Sequence, residues 1–271
     1  MNALTLTLRK TPWCALDVSF LSPDRLSGLD HVAIGAIRIC NGNRRKQLSD
    51  LFDISGDETQ KLVILNSSKH LHGIGTGMTS GQIRIEGDTG DHLGQDMRNG
   101  FIEVTGDTGH WTASGMRDGM ILVKGSCGDF AGGALPGDRQ GMRGGTLLVR
   151  GNTGDRTGDH LRRGCILIEG NAGAYCGSRM VAGTIAVLGK VGPNPGYAMK
   201  RGTMLLCETP EQLPPTLNNC GEHNLGFLPL LTKSFATLDT RFAEFNNGNR
   251  RIHRYTGDLA VNGKGEILVW V

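Results

Sequence analysis

The sequence predicts an all-β chain built as a parallel β-helix of nineteen-residue, glycine-cornered coils, and three observations carry this prediction. Glycines recur every nineteen residues, apolar residues alternate between them with a period of two, and the repeat is too short for a strand plus a packed helix. The strand-leading glycines are Gly81, Gly100, Gly119, Gly145, Gly164, Gly183 and Gly202. Their separations are 19, 19, 26, 19, 19 and 19 residues, so one coil carries a seven-residue insertion at 133–139. A second glycine column (Gly87, Gly106, Gly125, Gly151, Gly170, Gly189) follows six residues later, and a third (Gly90, Gly109, Gly128, Gly154, Gly173, Gly192) three residues after that.

Two places after each leading glycine stand Ile83, Ile102, Ile121, Leu147, Ile166, Ile185 and Met204; four places after stand Ile85, Val104, Val123, Val149, Ile168, Val187 and Leu206. Stacked at the strand spacing of about 4.8 Å, these columns become two aliphatic ladders along an interior. A further column three residues before each leading glycine reads Met78, Met97, Met116, Met142, Leu161, Met180 and Met199. Thioethers at one interior position are adaptable filler, a better reading than soft-metal ligation.

The repeat divides the chain into an N-terminal cap region at 1–61, a repeat domain at 62–207 and a C-terminal cap or extension at 208–271. The first segment opens with alternating residues at 3–8 that read as a strand; 32–40 and 47–54 read less clearly. Residues 62–65 form a degenerate first coil, with Ile64, Gly75 and Met78 nineteen before Ile83, Gly94 and Met97. The insertion at 133–139 must bulge from one corner, as a tolerated loop or one that touches something. Prolines at 210, 214 and 215 end the repeat, residues 227–245 can hold a helix, and 266–271 read as a terminal strand.

Composition limits the function classes. A net charge of +3 with interspersed signs does not point to nucleic acid, and seven cysteines without a C-x-x-C pair suit a reducing cytoplasm and argue against zinc. No stretch reaches the length of a membrane span, and no charged region followed by an apolar run opens the chain, so a soluble, cytoplasmic protein without a membrane partner is expected.

No nucleophile, zinc-protease or P-loop pattern appears, and His92, His110 and His160 occupy different places in the repeat, so they are not expected to stack into one site. No catalytic, cofactor-binding or metal residue is therefore assigned. A polysaccharide lyase or hydrolase would need clustered acids and bases outside the regular register. Two surface columns stand out instead. Arg98, Arg117, Arg143, Arg162 and Lys200 form a cationic stripe that either faces an anion or is balanced by Asp88, Asp91, Asp107, Asp129, Asp155 and Asp159. On the outward strand face the column Arg84, Glu103, Leu122, Leu148, Leu167, Ala186, Leu205 turns from charged to aliphatic. Such a strip is expected to be buried as a principal attachment surface for another subunit at Leu122, Leu148, Leu167 and Leu205; the competing reading is cover by the tail as an amphipathic helix through Phe227, Leu231, Phe235, Leu238 and Phe242, and the two are not exclusive.

The M-x-G-G-x-I-x-V-x-G-x-x-G-x-x-x-G coils, the I-G-T-G-M-T-S-G at 74–81 and the G-D-R-Q-G-M at 137–142 resemble the C subunit of formylmethanofuran dehydrogenase, over about residues 24–207. The coils alone are similar to the C-terminal β-helix domain of the glutamate synthase large subunit. The resemblance implies a right-handed parallel β-helix without its own active site, packed against an amidohydrolase-like subunit and others. Two assemblies use such a subunit: an archaeal tungsten or molybdenum dehydrogenase, and a bacterial formyltransferase/hydrolase complex. The latter takes formyl from formyl-tetrahydromethanopterin through a methanofuran-type carrier to formate, in formaldehyde oxidation. It implies partners that include formyltransferase and dehydrogenase-like subunits, and no cofactor held by this chain itself. An arginine-rich basic set without a Lys/Glu bias leans toward the bacterial complex. A β-helix spacer of a glutamate synthase-like protein is the third reading.

Overall fold

In a computed structural model of the chain, which describes residues 2–245 and 251–271, the architecture is mostly β and is dominated by one large, largely parallel sheet. Its strands in chain order are β1 (Ala3–Leu8), β2 (Phe52–Ser55), β3 (Glu58–Ser67), β4 (Gln82–Gly87), β5 (Phe101–Val104), β6 (Met120–Val123), β7 (Arg143–Val149), β8 (Arg163–Ile168), β9 (Thr184–Val187), β10 (Thr203–Leu206), β11 (Asn218–His223), β12 (Ile252–Gly257) and β13 (Gly265–Trp270). The 13-stranded order is β11-β12-β13-β10-β9-β8-β7-β6-β5-β4-β3-β1-β2. Three short helices, α1 (Pro23–Leu26), α2 (His31–Gly35) and α3 (Leu228–Ala236), lie in the end segments.

From β4 to β10 every strand pairs in parallel with its successor in the register that the glycine columns demand: Ile83 opposes Ile102, then Ile121, Leu147, Ile166, Ile185 and Met204. Both end segments extend this ladder. β1 lies parallel to β3 with Leu4 on Leu62 and Leu6 on Ile64, and β13 lies parallel to β10 with Ile267 on Met204 and Val269 on Leu206. The two aliphatic columns are buried along their whole length. Antiparallel strands then finish each end, β2 on β1 and β12 on β13, with β11 outermost. The caps thus add rungs before they close an edge that would otherwise remain open to pairing.

One register differs from the sequence expectation. Ile64 lies opposite Ile85 rather than Ile83, because β3 and β4 pair with an offset of twenty-one residues that a shift between Ile64 and Ser67 then relaxes. Asn66, at φ 57°, sits within that irregularity. Two N-terminal expectations also change. Asp30 Oδ1 accepts the Ala33 amide (2.7 Å) and caps α2, so 31–35 are helical and strand structure begins at Arg38. Residues 48–50 form a 3-10 turn before β2.

The methionine column is fully buried, and at Gly100, Gly119, Gly145 and Gly202 it packs where a Cβ would stand. A Cβ on Gly100 would stand 2.5 Å from Met78 Cε and 2.8 Å from the Gly81 carbonyl oxygen. At the second column the neighbour is backbone: a Cβ on Gly106 would lie 2.7 Å from the Gly87 oxygen. Glycine is required there because successive repeats approach backbone to backbone. Beyond the sheet, isolated parallel bridges link Thr108, Cys127, Thr153, Ala172 and Val191, one per repeat.

Side chains also tie repeat to repeat. Asp88 Oδ1 accepts the Asp107 amide, Asp107 Oδ1 the Ser126 amide, Ser126 Oγ the Asn152 amide, Asn152 Oδ1 the Asn171 amide and Asn171 Oδ1 the Lys190 amide, at 2.7 to 3.1 Å. Three residues on, a second series runs from His72 Nδ1 through Asp91, His110 and Asp129 to Asp155, whose Oδ1 accepts the Ala174 amide. Short acceptors after the second and third glycines therefore satisfy backbone donors that each corner leaves unpaired.

Candidate functional site

Two residues after each third-column glycine, the backbone is left-handed at His92, Trp111, Phe130, Arg156, Tyr175 and Asn194, with φ between 55° and 64°. Bulky residues in that region carry strain of about 1–3 kcal/mol each, a cost that marks a column for inspection. Here the side chains recover part of it by stacking. His92 lies on Trp111 with centroids 5.4 Å apart and an interplanar angle of 5°, and Trp111 lies on Phe130 at 5.4 Å and 14°. Farther along, the Arg156 guanidinium sits 4.9 Å above the Tyr175 ring.

The insertion closes over this stack. Residues 134–138 form, with Trp111, Phe130, Asp159, His160 and Arg179, a cavity of about 270 Å³. The extra residues of the repeat thus shape a concave wall. At its base the Asp159 carboxylate is buried and held on two sides. Arg179 Nε donates to Oδ1 (2.9 Å) and Arg179 Nη2 to Oδ2, while Ser178 Oγ donates to Oδ1 (2.6 Å). Desolvation holds His160 below the ordinary imidazole range; Asp159 opposes this, and Arg179 and Lys200 reinforce it.

Ser, Asp and His meet here without the wiring of a nucleophile. Ser178 is fully buried and sends its proton to the carboxylate, not to an imidazole. Burial pushes the Cys127, Cys165 and Cys176 thiols up to about 12, far from a reactive thiolate. Among the described residues no group of three or more His, Cys, Asp and Glu could hold a metal. The hydrogen bonds of Ser178 and Arg179 to Asp159 hold the shape of the cavity wall. Replacing Arg179 by Met should leave Asp159 charged and underpartnered, lowering stability by about 2–3 kcal/mol because Arg179 is itself half-exposed; a thermal melt of the purified variant checks it.

The histidine expectation needs correction. His92 and His110 converge on Trp111, the second edge-on at 5.9 Å, because positions one residue apart in neighbouring repeats are brought together by the left-handed turn. The sequence signal was present: an aromatic or imidazole side chain two residues after the third glycine in three successive repeats.

Arg98, Arg117, Arg162 and Lys200 are exposed and Arg143 is half-buried. The carboxylates expected to balance them are engaged elsewhere. Asp88, Asp91, Asp107, Asp129 and Asp155 accept backbone amides, and Asp159 takes Arg179. None of the five cations makes an ion pair among the described residues.

The apolar strip is also placed differently from a free partner surface. Leu148, Leu167, Ala186 and Leu205 are buried in a second core with Leu228, Phe235, Phe242, Ile252 and Leu268, and Leu122 is half-buried at its margin. The tail supplies this cover. It is fastened by Arg150 to Asp239 (3.0 Å) and by the Arg241 amide donating to Glu169 Oε1 (2.9 Å). Attachment of another subunit directly at Leu148, Leu167 and Leu205 is therefore corrected to packing by the chain's own C-terminal segment. The helix expected within 227–245 is α3, which stops at Ala236, and Phe242 reaches the core from a 3-10 turn at Arg241–Phe245, edge-on to Phe235 at 5.7 Å.

The repeat of glycine corners is what comparison with known proteins recognises, since the GXGXG motif family matches residues 67–222, more than half of the chain. The chain belongs to that family. It is 42% identical over 89 residues to the C subunit of the formyltransferase/hydrolase complex Fhc of Methylorubrum extorquens, a stretch covering 33% of this chain and 34% of that one. It is 31% identical over 96 residues to the C subunit of tungsten-containing formylmethanofuran dehydrogenase 2 of Methanococcus maripaludis, covering 35% of each. These alignments span about a third of the curated relatives' length. A solved structure reaches much farther: a chain in the crystal structure of the formyltransferase/hydrolase complex FhcABCD from Methylorubrum extorquens with methylofuran matches 98% of both chains, with a TM-score of 0.92 and 40% identity. The resemblance to the C subunits of both assemblies, read first from the repeat motifs, thus holds.

Proposed function

We propose that this chain is the noncatalytic, scaffolding C subunit of a formyltransferase/hydrolase complex, which passes formyl from formyl-tetrahydromethanopterin through a methanofuran-type carrier to formate. The observation that carries this reading is the match over nearly the whole of both chains to a component of FhcABCD at 40% identity. Identity to the bacterial relative, 42%, exceeds the 31% to the archaeal dehydrogenase subunit, which favours the bacterial assembly. The partners under this reading are amidohydrolase-like, formyltransferase and dehydrogenase-like subunits. The chain itself holds no cofactor, and the carrier belongs to the complex.

The scaffold is a closed right-handed parallel β-helix in this reading. Support comes from the second column of parallel bridges, and from backbone hydrogen bonds of constant register at a third position, such as Gly94 to Ile74 and Ala113 to Leu93. Cytoplasmic placement is supported by a set of seven cysteines, an odd number without a C-x-x-C pair. The test is purification of the tagged chain from its native host, with identification of co-purifying subunits and analysis for bound tungsten or molybdenum. Formyltransferase and amidohydrolase subunits without either metal are expected. A tungsten or molybdenum pterin enzyme would move the chain to the archaeal-type complex. Formylmethanofuran hydrolysis by the isolated chain, lost on a point substitution within it, would overturn the noncatalytic reading.

A further inference from the structure

We propose that the basic cavity between the loop at residues 9–13 and the hairpin of Arg38–Asn41 with Arg44–Gln47 docks an acidic face of a neighbouring polypeptide, an inference that rests on the chain being a complex subunit. The cavity measures about 550 Å³ and its charged lining is Arg9, Lys10, Arg44 and Lys46 against one acid, Asp50. Arg9 is paired with Asp53 outside it (2.7 Å), and Asp50 Oδ2 accepts the Gln47 amide (2.9 Å). Lys10, Arg44 and Lys46 make no ion pair among the described residues. The whole chain carries a net charge of only +3, so a cluster of free cations in one concavity is a local concentration of field.

Beside these cations stands Trp13, 77% exposed. It is held in place: its ring lies over the hairpin turn so closely that a Cβ on Gly42 would be 2.7 Å from Trp13 Cζ2. Next to it, Cys14 Sγ donates to the Oδ1 of buried Asn41 (3.1 Å), fastening the loop to the hairpin. The antiparallel register pairs Ile39 with Lys46 and Asn41 with Arg44, which puts both cations on the strand face of Asn41. A pre-positioned indole flanked by guanidinium and ammonium groups has the composition of a protein-interface anchor. The acidic partner follows from charge complementarity, with an apolar protrusion against the indole. Nucleic acid fits less well, since backbone phosphates demand a longer track of cations than one cavity provides.

The test measures binding of this chain to the purified remaining subunits of the complex, co-expressed without it, at about 50 and about 300 mM NaCl. Wild type should bind, and its Kd should rise by about tenfold over that range. The double variant Arg44→Glu with Lys46→Glu should weaken binding by at least about tenfold at low salt and flatten the salt dependence. Trp13→Ala should weaken it while keeping the salt dependence. Arg44→Gln with Lys46→Gln serves if the charge reversal impairs folding, which a melt reports. Wild-type affinity in both cation variants would overturn the docking site while leaving the complex reading intact. Failure of wild type to bind the subunits at all would remove the complex reading, and this proposal with it. Tighter binding to a short fluorescein-labelled polyuridine RNA would assign the cavity to nucleic acid instead.

Discussion

Replacing Val149 by Asp should abolish folding. Val149 stands in the middle of the second aliphatic ladder, opposite Val123 on one side and Ile168 on the other, and is completely buried. A carboxylate there has no cation within the ladder and no route to water, so it must be buried charged or take up a proton. Either course costs several kcal/mol against a domain stability of about 5–15 kcal/mol. Because each rung packs on its neighbours, the damage reaches both halves of the repeat at once. Soluble yield and far-UV circular dichroism on heating decide it. A soluble variant with a cooperative melt near that of wild type would show that the inward face has been assigned backwards.

That ladder is legible in the amino-acid sequence itself, and the reason is physical. Each of its positions has one apolar neighbour above and below, so the same chemical demand recurs every nineteen residues and leaves a column in the sequence. The glycine corners are legible for the same reason, since backbone packs on backbone at Gly106 as at its counterparts. Pairings that cross the repeat leave weaker traces. Asp107 and Asp129 look like exposed acids beside a row of arginines, yet both accept an amide of the next repeat. Sequence spacing cannot choose between a nearby cation and a nearby N–H, and the unpaired corner donor wins because nothing else satisfies it. Likewise the aromatic stack depends on left-handed residues at His92, Trp111 and Phe130, a conformation that glycine would announce but these residues do not.

The surface has a corresponding division of labour. The buried strip at Leu148, Leu167 and Leu205 removes the most apolar face of the repeat from the list of free surfaces. Among the described residues, what remains outside includes the cationic stripe from Arg98 to Lys200, the cavity beneath the insertion and the N-terminal basic hairpin with Trp13, with exposed apolar side chains such as Val32 and Leu230 scattered elsewhere. Under the proposed reading, a subunit with such a surface would attach through charge and shape at several places instead of through one greasy face, and its assembly would be correspondingly sensitive to salt.

Changing Leu148 and Leu167 together to Lys should detach α3 and the 3-10 turn that follows it while the strand ladder, with β12 and β13, survives. Both side chains are buried against the tail, within reach of the core formed by Leu228, Phe235, Phe242 and Leu268. Two lysines would desolvate two ammonium groups in that layer and remove two leucines from it, a combined loss of about 4–8 kcal/mol if the tail stayed in place. The helical part of the tail, which makes no sheet pairing, has an easier course. Its hold outside this core includes the Arg150–Asp239 pair and the Arg241 amide on Glu169, each worth about 1 kcal/mol, so α3 should lift and leave the lysines in water. The ladder beneath is on the opposite strand face: Leu147 and Val149 alternate with Leu148, and Ile166 and Ile168 with Leu167, so it keeps its packing. Limited proteolysis should therefore cut after residue 207 far faster than in wild type, and hydrogen exchange should rise in α3 while β4 to β6 stay protected. Loss of protection throughout the sheet would mean that the tail is part of the folding unit, and an unchanged cleavage pattern would mean that the tail is held by something other than this strip.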